Sequence, residues 1–349
     1  MSITTDRIIL KRIAHIRFRH VEFEQTLAFL RDFGMSLVSG RDGRYYFKGY
    51  GDLPYIYMAE RAQPGEEAAF LGAAFEAESR DELVKAARLP GASPITQLDG
   101  PGGGEIVSVA DPHGVPMHII YGQQLVEKEE PEREVKPLNL GTSNVEKKER
   151  PAGEFQRMRT DYVVPVHKLG HFVLMVPSYE AAKSFYTDVF NFAPSDTMKL
   201  GPNGPEVGAF LHIDRGAEPV DHHTIFINTD PRPGAVPTLH HSAYEVFDMD
   251  HEFRAHEDLA RKGHKLAWGV GRHILGSQLF DYWYQTGDGF RMEHYADSDL
   301  VNSETKPGLH IVGPGPIQEE HVSIWSPKFI GGAETFGATK SVELVQASA

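Results

Sequence analysis

The sequence predicts an α+β fold in which four copies of one β-α-β-β-β module form two similar domains. Three observations support this prediction. Each of four amphipathic, helix-like segments follows one strand-like segment and precedes further short ones. A charged, proline-containing stretch separates the first two modules from the last two. The first strand of three modules carries a histidine, in A-H-I-R-F, G-H-F-V-L and H-H-S-A-Y.

The first two modules precede the charged stretch. The first opens with a strand in residues 8–20, where Ile16 and Phe18 alternate with arginines, and its helix is ended by Gly34. The helices are expected at Glu22–Phe33 and Asp81–Arg88, and the other strands at Ser36–Ser39, Tyr45–Gly49, Tyr55–Ala59, Ala69–Phe75, Glu105–Ala110 and Pro116–Tyr121.

The same order of elements restarts after the charged stretch. The helices are expected at Tyr179–Phe190 and Met249–Lys262, and the strands at Gly170–Val176, Val207–Ile213, Thr224–Asn228, Leu239–Val246, Lys265–Trp268, Gln278–Gln285 and Phe290–Tyr295. Glycine-containing turns precede the last strands of the second and fourth modules, in D-P-H-G-V-P-M-H and Q-T-G-D-G-F-R-M-E.

Four segments follow from this pattern. We expect an N-terminal domain at 1–122, a charged linker or strap at 123–165, and a C-terminal domain at 166–300. The segment 301–349 is rich in proline and glycine near its start, and we expect it to wrap over the second domain and to have a disordered end.

Composition excludes several classes of function. The formal net charge of −14 disfavours nucleic acids and anionic membranes as partners, because both bind basic surfaces. The chain has no cysteine, so disulfides, thiolate-bound zinc, iron–sulfur clusters and thiol nucleophiles are excluded, and any metal must bind His, Asp, Glu or other oxygen ligands. The start of the chain has no signal-like apolar region, and no apolar run approaches the length of a membrane span. A cytoplasmic protein is expected.

Three residues in the second half are candidate metal ligands. Glu293 is a carboxylate at the centre of a strand that otherwise resembles core, and His171 and His241 occupy first strands of the third and fourth modules. Taken singly, such residues are more typical of a core histidine or of a glutamate paired with an arginine. Together, at corresponding places in repeats, they favour a metal site. Two imidazoles and one carboxylate suit Fe(II), and less often Mn(II), with three positions open.

Several motifs, taken in order, carry a family resemblance: G-H-F-V-L-M-V, D-H-H-T-I-F-I, L-H-H-S-A-Y-E-V, G-R-H-I-L-G-S-Q-L-F-D-Y-W and G-D-G-F-R-M-E-H-Y. From about Ile8 to Val301 the chain resembles the vicinal oxygen chelate superfamily, which includes glyoxalases, bleomycin resistance proteins and dioxygenases. Its second half is similar to the type I extradiol catechol dioxygenases. The resemblance implies that each domain is an open mixed β-barrel around a cavity. It also implies iron ligands at His171, His241 and Glu293, with His240 as the alternative to His241.

The resemblance also places groups around the substrate. These are His223 as a proton donor, with His222 as its alternative, and His273 and Tyr282 as hydrogen-bond partners of the substrate. The turn after Tyr282 is one residue longer than the family pattern, which leaves Trp283 and Tyr284 as lesser candidates.

The first half departs further from the family pattern. His15 and His118 occupy the first- and last-strand positions, but the A-A-F strand between them offers no histidine. We therefore expect no metal in the N-terminal domain.

The function implied by the resemblance is extradiol ring cleavage of a catechol-type diol to a muconic-semialdehyde-type product. Fe(II), or Mn(II), is the implied cofactor and O₂ the co-substrate, in a homo-oligomer. A second interpretation is another metal-dependent enzyme of the same superfamily, such as a 2-oxo-acid dioxygenase, an isomerase or a lyase. A third is a non-catalytic small-molecule-binding protein. We expect an apolar substrate pocket that includes Phe185, Phe210, Trp268, Ile274 and Leu275 and suits a substituted or bicyclic catechol.

Overall fold

Two mixed β-sheets carry most of the chain in the computed structural model, which describes residues 7–128, 163–313 and 322–327. The first sheet has eight strands in the order β2-β3-β4-β1-β5-β8-β7-β6. Its strands are β1 (Leu10–His20), β2 (Ser36–Arg41), β3 (Arg44–Lys48), β4 (Tyr57–Arg61), β5 (Ala69–Ala77), β6 (Thr96–Gln97), β7 (Glu105–Ala110) and β8 (Pro116–Tyr121). Its helices are α1 (Phe23–Asp32) and α2 (Arg80–Ala86).

The second sheet has ten strands, and a separate two-stranded sheet pairs β12 with β18. The strands are β9 (Leu169–Val176), β10 (Phe192–Leu200), β11 (Glu206–Ile213), β12 (Val220–Asp221), β13 (Ile225–Thr229), β14 (Thr238–Glu245), β15 (Lys265–His273), β16 (Leu279–Tyr284), β17 (Arg291–Ala296), β18 (Leu300–Val301), β19 (Gly308–Val312) and β20 (Ser323–Trp325). The order in the large sheet is β19-β10-β11-β13-β9-β14-β17-β16-β15-β20. Its helices are α3 (Tyr179–Ser184), which continues as a π-helical turn over Phe185–Val189, and α4 (Met249–Arg261).

Both large sheets have the same centre. In the first sheet β1 lies between β4, to which it is parallel, and β5, to which it is antiparallel, and β5 is parallel to β8. In the second sheet β9 lies in the same way between β13 and β14, and β14 is parallel to β17. This repeated pairing confirms the predicted α+β fold of β-α-β-β-β modules. The predicted segment boundaries stay predictions, since 129–162, 314–321 and 328–349 lie outside the described residues.

Some predicted elements were wrong or incomplete. The predicted helix Tyr179–Phe190 is α-helical only as far as Ser184. Strand β10 was missed because Pro194 and three buried polar residues, Ser195 to Thr197, hide its apolar pattern. Strand β15 continues beyond Trp268 to His273. The C-terminal segment does more than wrap, because β19 and β20 extend the second sheet at its two opposite edges.

The two halves pack through one apolar core and through buried polar contacts. The core cluster includes residues of both halves, from Ile8 to Met292. In the long turn before β17, Asp288 accepts hydrogen bonds from His20 Nδ1 at 2.8 Å and from the backbone amides of Val21 and Glu22 at 3.2 and 3.3 Å. Asp288 of this turn therefore belongs to the contact between the halves.

In the described residues, helices long and apolar enough to span a membrane are absent. The expected homo-oligomer stays a prediction.

We predict that Asp288→Ala lowers the free energy of unfolding by about 3 kcal/mol, because it leaves a buried imidazole and two amides without their acceptor. Burial alone would raise the pKa of Asp288, but the hydrogen bond from His20 holds it below its ordinary value. The contribution is therefore present at neutral pH and fades as the pH falls below about 4. Chemical denaturation at several pH values measures it.

The control for this experiment is Glu24→Ala. The Glu24 carboxylate also forms an ion pair, with Arg61 at 2.6 Å, but its side chain is 76% exposed. Exposed pairs contribute at most about 1 kcal/mol. Equal losses in the two variants would contradict a special role for Asp288.

Candidate metal centre

Three buried side chains of the second sheet converge: His171 on β9, His241 on β14 and Glu293 on β17. One potential ligand atom from each lies within 4.8 Å of the others. The strand register explains this. His171 and Glu293 both lie opposite Ala243, on the two strands that flank β14, and His241 is two residues before Ala243 on the same face.

The Glu293 carboxylate lies between the two imidazoles. Its Oε2 is 3.1 Å from His171 Nε2 and 3.2 Å from His241 Nε2. Among the described atoms, Glu293 Oε1 has no hydrogen-bond partner. Burial by itself would raise the pKa of Glu293, but the two histidines lower it well below its ordinary value. The glutamate is therefore ionised.

The electrostatics of this group fit a divalent cation. Burial lowers the pKa of His241 to about 4, so this imidazole is neutral at physiological pH. The site thus holds an ionised carboxylate and a neutral imidazole, which is the protonation that metal ligands require. A cation would compensate the buried negative charge and occupy the carboxylate oxygen that lacks a hydrogen bond. The donor set of two nitrogens and one carboxylate matches Fe(II) or Mn(II).

Two of the predicted substrate-contacting residues form a hydrogen-bonded pair beside Glu293. His273 Nε2 is 2.9 Å from the Tyr282 hydroxyl and 3.9 Å from Glu293 Oε1. Tyr282 lies directly opposite Glu293 in the register of β16 and β17. The longer turn therefore does not displace Tyr282.

The lesser candidates do not line the cavity. The Trp283 indole is fully buried and donates to Asp281 at 2.6 Å, and the Tyr284 ring packs under Lys265.

A segment far along the chain fixes the tautomer of His273. Its Nδ1 lies 3.0 Å from the backbone oxygen of Val322, next to β20, and must donate to that carbonyl. Burial lowers the pKa of His273. The ring is therefore neutral, with a bare Nε2 that accepts the hydroxyl proton of Tyr282. No local sequence pattern points to Val322, because its contact with His273 joins residues that lie 49 positions apart in the chain.

The His223 ring packs against the His171 ring, with ring centroids 4.0 Å apart. It lines the cavity, whereas His222 does not and instead contacts Asp196 at 2.7 Å. His240 lines the cavity beside His241, but it is not one of the three converging groups. The geometry thus favours His223 and His241 over their neighbours.

The cavity has a volume of ≈ 120 Å³ and is mostly apolar. The lining residues besides the histidines and Tyr282 are Val173, Met175, Met198, Phe210, Phe226, Asn228, Leu275, Gln278 and Val322. The pocket prediction was correct for Phe210 and Leu275. It was wrong for Phe185, which packs on Tyr186 and Phe190, for Trp268, which packs on Phe280, and for Ile274, which is exposed.

The first sheet has a corresponding place with different residues. Ala74 lies opposite both His15 and His118, as Ala243 lies opposite His171 and Glu293. Two residues before Ala74, where the second sheet has His241, stands Gly72. A methyl group on Gly72 would lie 2.9 Å from His118 Nε2. His118 itself is bonded to the Leu71 carbonyl and to Ser108, each at 2.8 Å.

Comparisons with known proteins agree with this architecture. Residues 168–293 match the Glyoxalase/Bleomycin resistance protein/Dioxygenase superfamily. Metapyrocatechase 2 of Cupriavidus necator is 30% identical over 149 residues, which are 43% of this chain and 42% of that protein. Biphenyl-2,3-diol 1,2-dioxygenase of Paraburkholderia xenovorans is 29% identical over 191 residues, 54% of this chain and 53% of that protein. The chain spans about half the length of the curated relatives it matches.

Solved structures share the fold over nearly the whole chain. The Mn(II)-bound glyoxalase from Novosphingobium aromaticivorans has a TM-score of 0.75 at 23% identity, covering 98% of this chain and 99% of that one. Homoprotocatechuate 2,3-dioxygenase from Brevibacterium fuscum has a TM-score of 0.73 at 15% identity, covering 97% and 95%. The predicted resemblance to the superfamily, and to extradiol dioxygenases within it, is confirmed.

We predict that Glu293→Gln abolishes tight binding of Fe(II) or Mn(II), because the amide removes the charge that the cation would balance. Metal content after anaerobic loading and desalting measures this. Retention of stoichiometric metal by the variant would remove Glu293 from the ligand set.

Glu252→Gln is a matched control. Glu252 is as fully buried as Glu293, but it lies on α4, and burial raises its pKa well above the ordinary value. The residue is therefore already neutral, and an isosteric amide should leave the metal content unchanged.

Proposed function

We propose that this protein is a metal-dependent extradiol dioxygenase. It would open the ring of a catechol beside its two hydroxyls. The proposal is consistent with the match of residues 168–293 to the Glyoxalase/Bleomycin resistance protein/Dioxygenase superfamily. The observation that carries the proposal is the convergence of His171, His241 and Glu293 at one end of an apolar cavity that the His273–Tyr282 pair also lines.

We propose Fe(II) as the cofactor, with Mn(II) as the alternative. His171, His241 and Glu293 would hold it, and the chain has no thiolate that would favour zinc. One relative is named an iron-dependent extradiol dioxygenase, from Rhodococcus jostii, and one structural neighbour is Mn(II)-bound. When bound, the metal supplies open positions for the diol and O₂ and lowers the pKa of a coordinated hydroxyl.

The protein's own residues would orient the diol and handle its protons. Tyr282 and His273 form a polar edge that hydrogen-bonds one substrate oxygen. His223 lines the cavity next to His171, and it would take a proton from the diol at Nε2 and return it during ring opening. The stacked rings of Phe210 and Phe226, with centroids 4.1 Å apart, form an apolar wall that excludes water.

The cavity supports a small, uncharged catechol as substrate. Its volume of ≈ 120 Å³ is close to that of a cavity of about 150 Å³ that holds benzene. Among the described residues that line it, the ionisable side chains are five histidines and Tyr282, so a carboxylate on the substrate would have no arginine or lysine partner. Of the substituted or bicyclic catechols expected from the sequence, a monocyclic one therefore fits better than a bicyclic one.

A metal-dependent isomerase is the second candidate, because the Mn(II)-bound glyoxalase aligns with nearly the whole chain. The hydrogen-bonded His273–Tyr282 pair favours the dioxygenase, since the Tyr282 hydroxyl donates to His273 and its oxygen can then accept a hydrogen bond from a diol hydroxyl. Oxygen consumption distinguishes the two candidates.

We predict that protein loaded anaerobically with Fe(II) consumes one O₂ per catechol and forms a yellow semialdehyde. The panel would contain catechol, a methylcatechol, 3,4-dihydroxyphenylacetate and 2,3-dihydroxybiphenyl. We expect kcat/KM for the small neutral diols to be at least about tenfold higher, because burying an unpaired carboxylate, or forcing a second ring into so small a cavity, costs more than about 1.4 kcal/mol. No O₂ uptake with iron bound would refute the dioxygenase. Fastest turnover of the biphenyl diol would refute only the size argument.

We predict that His223→Gln lowers kcat by about 10²- to 10⁴-fold, which is the range for loss of an acid–base group. Metal content should not change, because His223 is outside the ligand set. The control is His251→Gln on α4, outside the cavity, where activity should persist. Steady-state kinetics with metal analysis of the same samples decides the outcome, and an unchanged kcat would remove His223 from proton transfer.

A further inference from the structure

We propose that Asp196, His222 and His310 are positioning residues that fix the ring tautomer of His223, so that its Nε2 presents a lone pair to the cavity. This proposal rests on the proposed function for its catalytic consequence, although its structural part is independent of it. The three residues come from β10, from the loop before β13, and from β19 in the C-terminal segment.

A continuous line of hydrogen bonds joins these residues. His310 Nε2 is 2.9 Å from Asp196 Oδ1, and His222 Nε2 is 2.7 Å from Asp196 Oδ2. His222 Nδ1 is in turn 3.2 Å from His223 Nδ1. The side chain of His310 is 38% exposed, and those of Asp196 and His222 are 13% and 5% exposed. The line therefore runs from the surface to the cavity wall.

The chemistry of each group sets the direction of its hydrogen bond. Burial alone would raise the pKa of Asp196, but hydrogen bonds from His222 and His310 hold it below its ordinary value. The ionised carboxylate can only accept, so both histidines donate to it from Nε2–H. A neutral His222 then has a bare Nδ1, which accepts Nδ1–H from His223. Nε2 is left as the bare nitrogen of His223, ready to take a proton from a bound diol.

The surrounding backbone holds His222 in place. Ser195 Oγ donates to the His222 carbonyl at 2.6 Å and accepts from His212 Nδ1 at 2.7 Å. Gly276 packs so closely that an added methyl group would lie 2.8 Å from His222 Nδ1.

The C-terminal segment approaches Asp196 equally closely. Gly308 of β19 lies opposite Asp196 in the parallel pair with β10, and a methyl group there would overlap Asp196 Oδ1. His310 is two residues further along β19 and therefore on the same face as Gly308. The close approach of Gly308 and the shared face of Gly308 and His310 indicate that the strand pairing itself holds His310 against Asp196.

The tautomer can be measured directly, without activity. On the full metal-free chain labelled with ¹⁵N-histidine, long-range ¹H–¹⁵N correlation spectra distinguish protonated from bare ring nitrogens. We expect His222 to be protonated at Nε2 only and His223 at Nδ1 only. A proton on Nε2 of His223 together with a bare Nδ1 would overturn the proposal. This result stands even if the protein does not oxidise catechols.

Kinetics test the consequence. Asp196→Asn can present its amide NH₂ to His222, which reverses the tautomers of both histidines. We expect kcat to fall about 10- to 100-fold, as for other partners of functional histidines, with KM unchanged within about twofold, because the cavity wall is untouched. The control is Asp32→Asn, since Asp32 accepts from His264 Nε2 at a similar 3.0 Å outside the cavity. An unchanged kcat, or a loss confined to KM, would contradict the proposal.

A pair of substitutions at His222 separates positioning from mere packing. The Asn amide reaches the place of Nδ1, and the Gln amide reaches the place of Nε2. His222→Asn can still accept from His223 and should keep more of the wild-type kcat. His222→Gln keeps only the contact with Asp196 and should lose about as much as Asp196→Asn. Equal activity in the two variants would show that the contact with His223 is irrelevant.

Discussion

The second half of the protein is organised around one buried negative charge. The Glu293 carboxylate has no exposed surface, lies 3.1 and 3.2 Å from two imidazoles, and keeps one oxygen without a hydrogen bond. A buried ion is tolerated only when other charges or dipoles compensate it. The two neighbouring imidazoles compensate it partly, and a divalent cation would do so fully. The electrostatics of these three side chains therefore favour a bound cation, independently of any chemistry that it would support.

The architecture delivers these ligands through strand register. Strand β14 lies between β9 and β17. Ala243 of β14 lies opposite His171 of β9 and opposite Glu293 of β17, and His241 lies two residues before Ala243 on β14. The first half repeats the register around Ala74 but has Gly72 at the third place and uses the carbonyl of Leu71 and Ser108 to satisfy His118. The same backbone plan thus supports a ligand cluster in one half and a hydrogen-bonded core in the other. The side chains at a few corresponding positions, such as Gly72 and His241, determine which of the two forms.

Much of this was predictable from the sequence, because alternation and glycine turns report strands directly. The strands Glu105–Ala110 and Pro116–Tyr121 were placed to the residue, and the three ligand candidates converge. The failures have a common physical cause. Strand β10 is buried through polar side chains that bond to distant partners, so its pattern does not look like core. Likewise Phe185 and Trp268 are apolar but pack in the core, and hydrophobicity alone does not tell a cavity wall from the core behind it.

The C-terminal segment differs most from the sequence prediction, which expected a wrap without strands. Its two described strands join opposite edges of the ten-stranded sheet. At one edge, His310 joins Asp196 and so reaches His223 through His222. At the other, the Val322 carbonyl takes the Nδ1 proton of His273. The Val322 carbonyl thus fixes the tautomer of His273 directly, whereas His310 acts on His223 only indirectly, by helping to keep the Asp196 carboxylate ionised. A neutral imidazole can act as a base or accept a hydroxyl proton only through its bare nitrogen. The C-terminal segment therefore acts on two histidines that line the cavity, although of its described residues only Val322 lines the cavity itself.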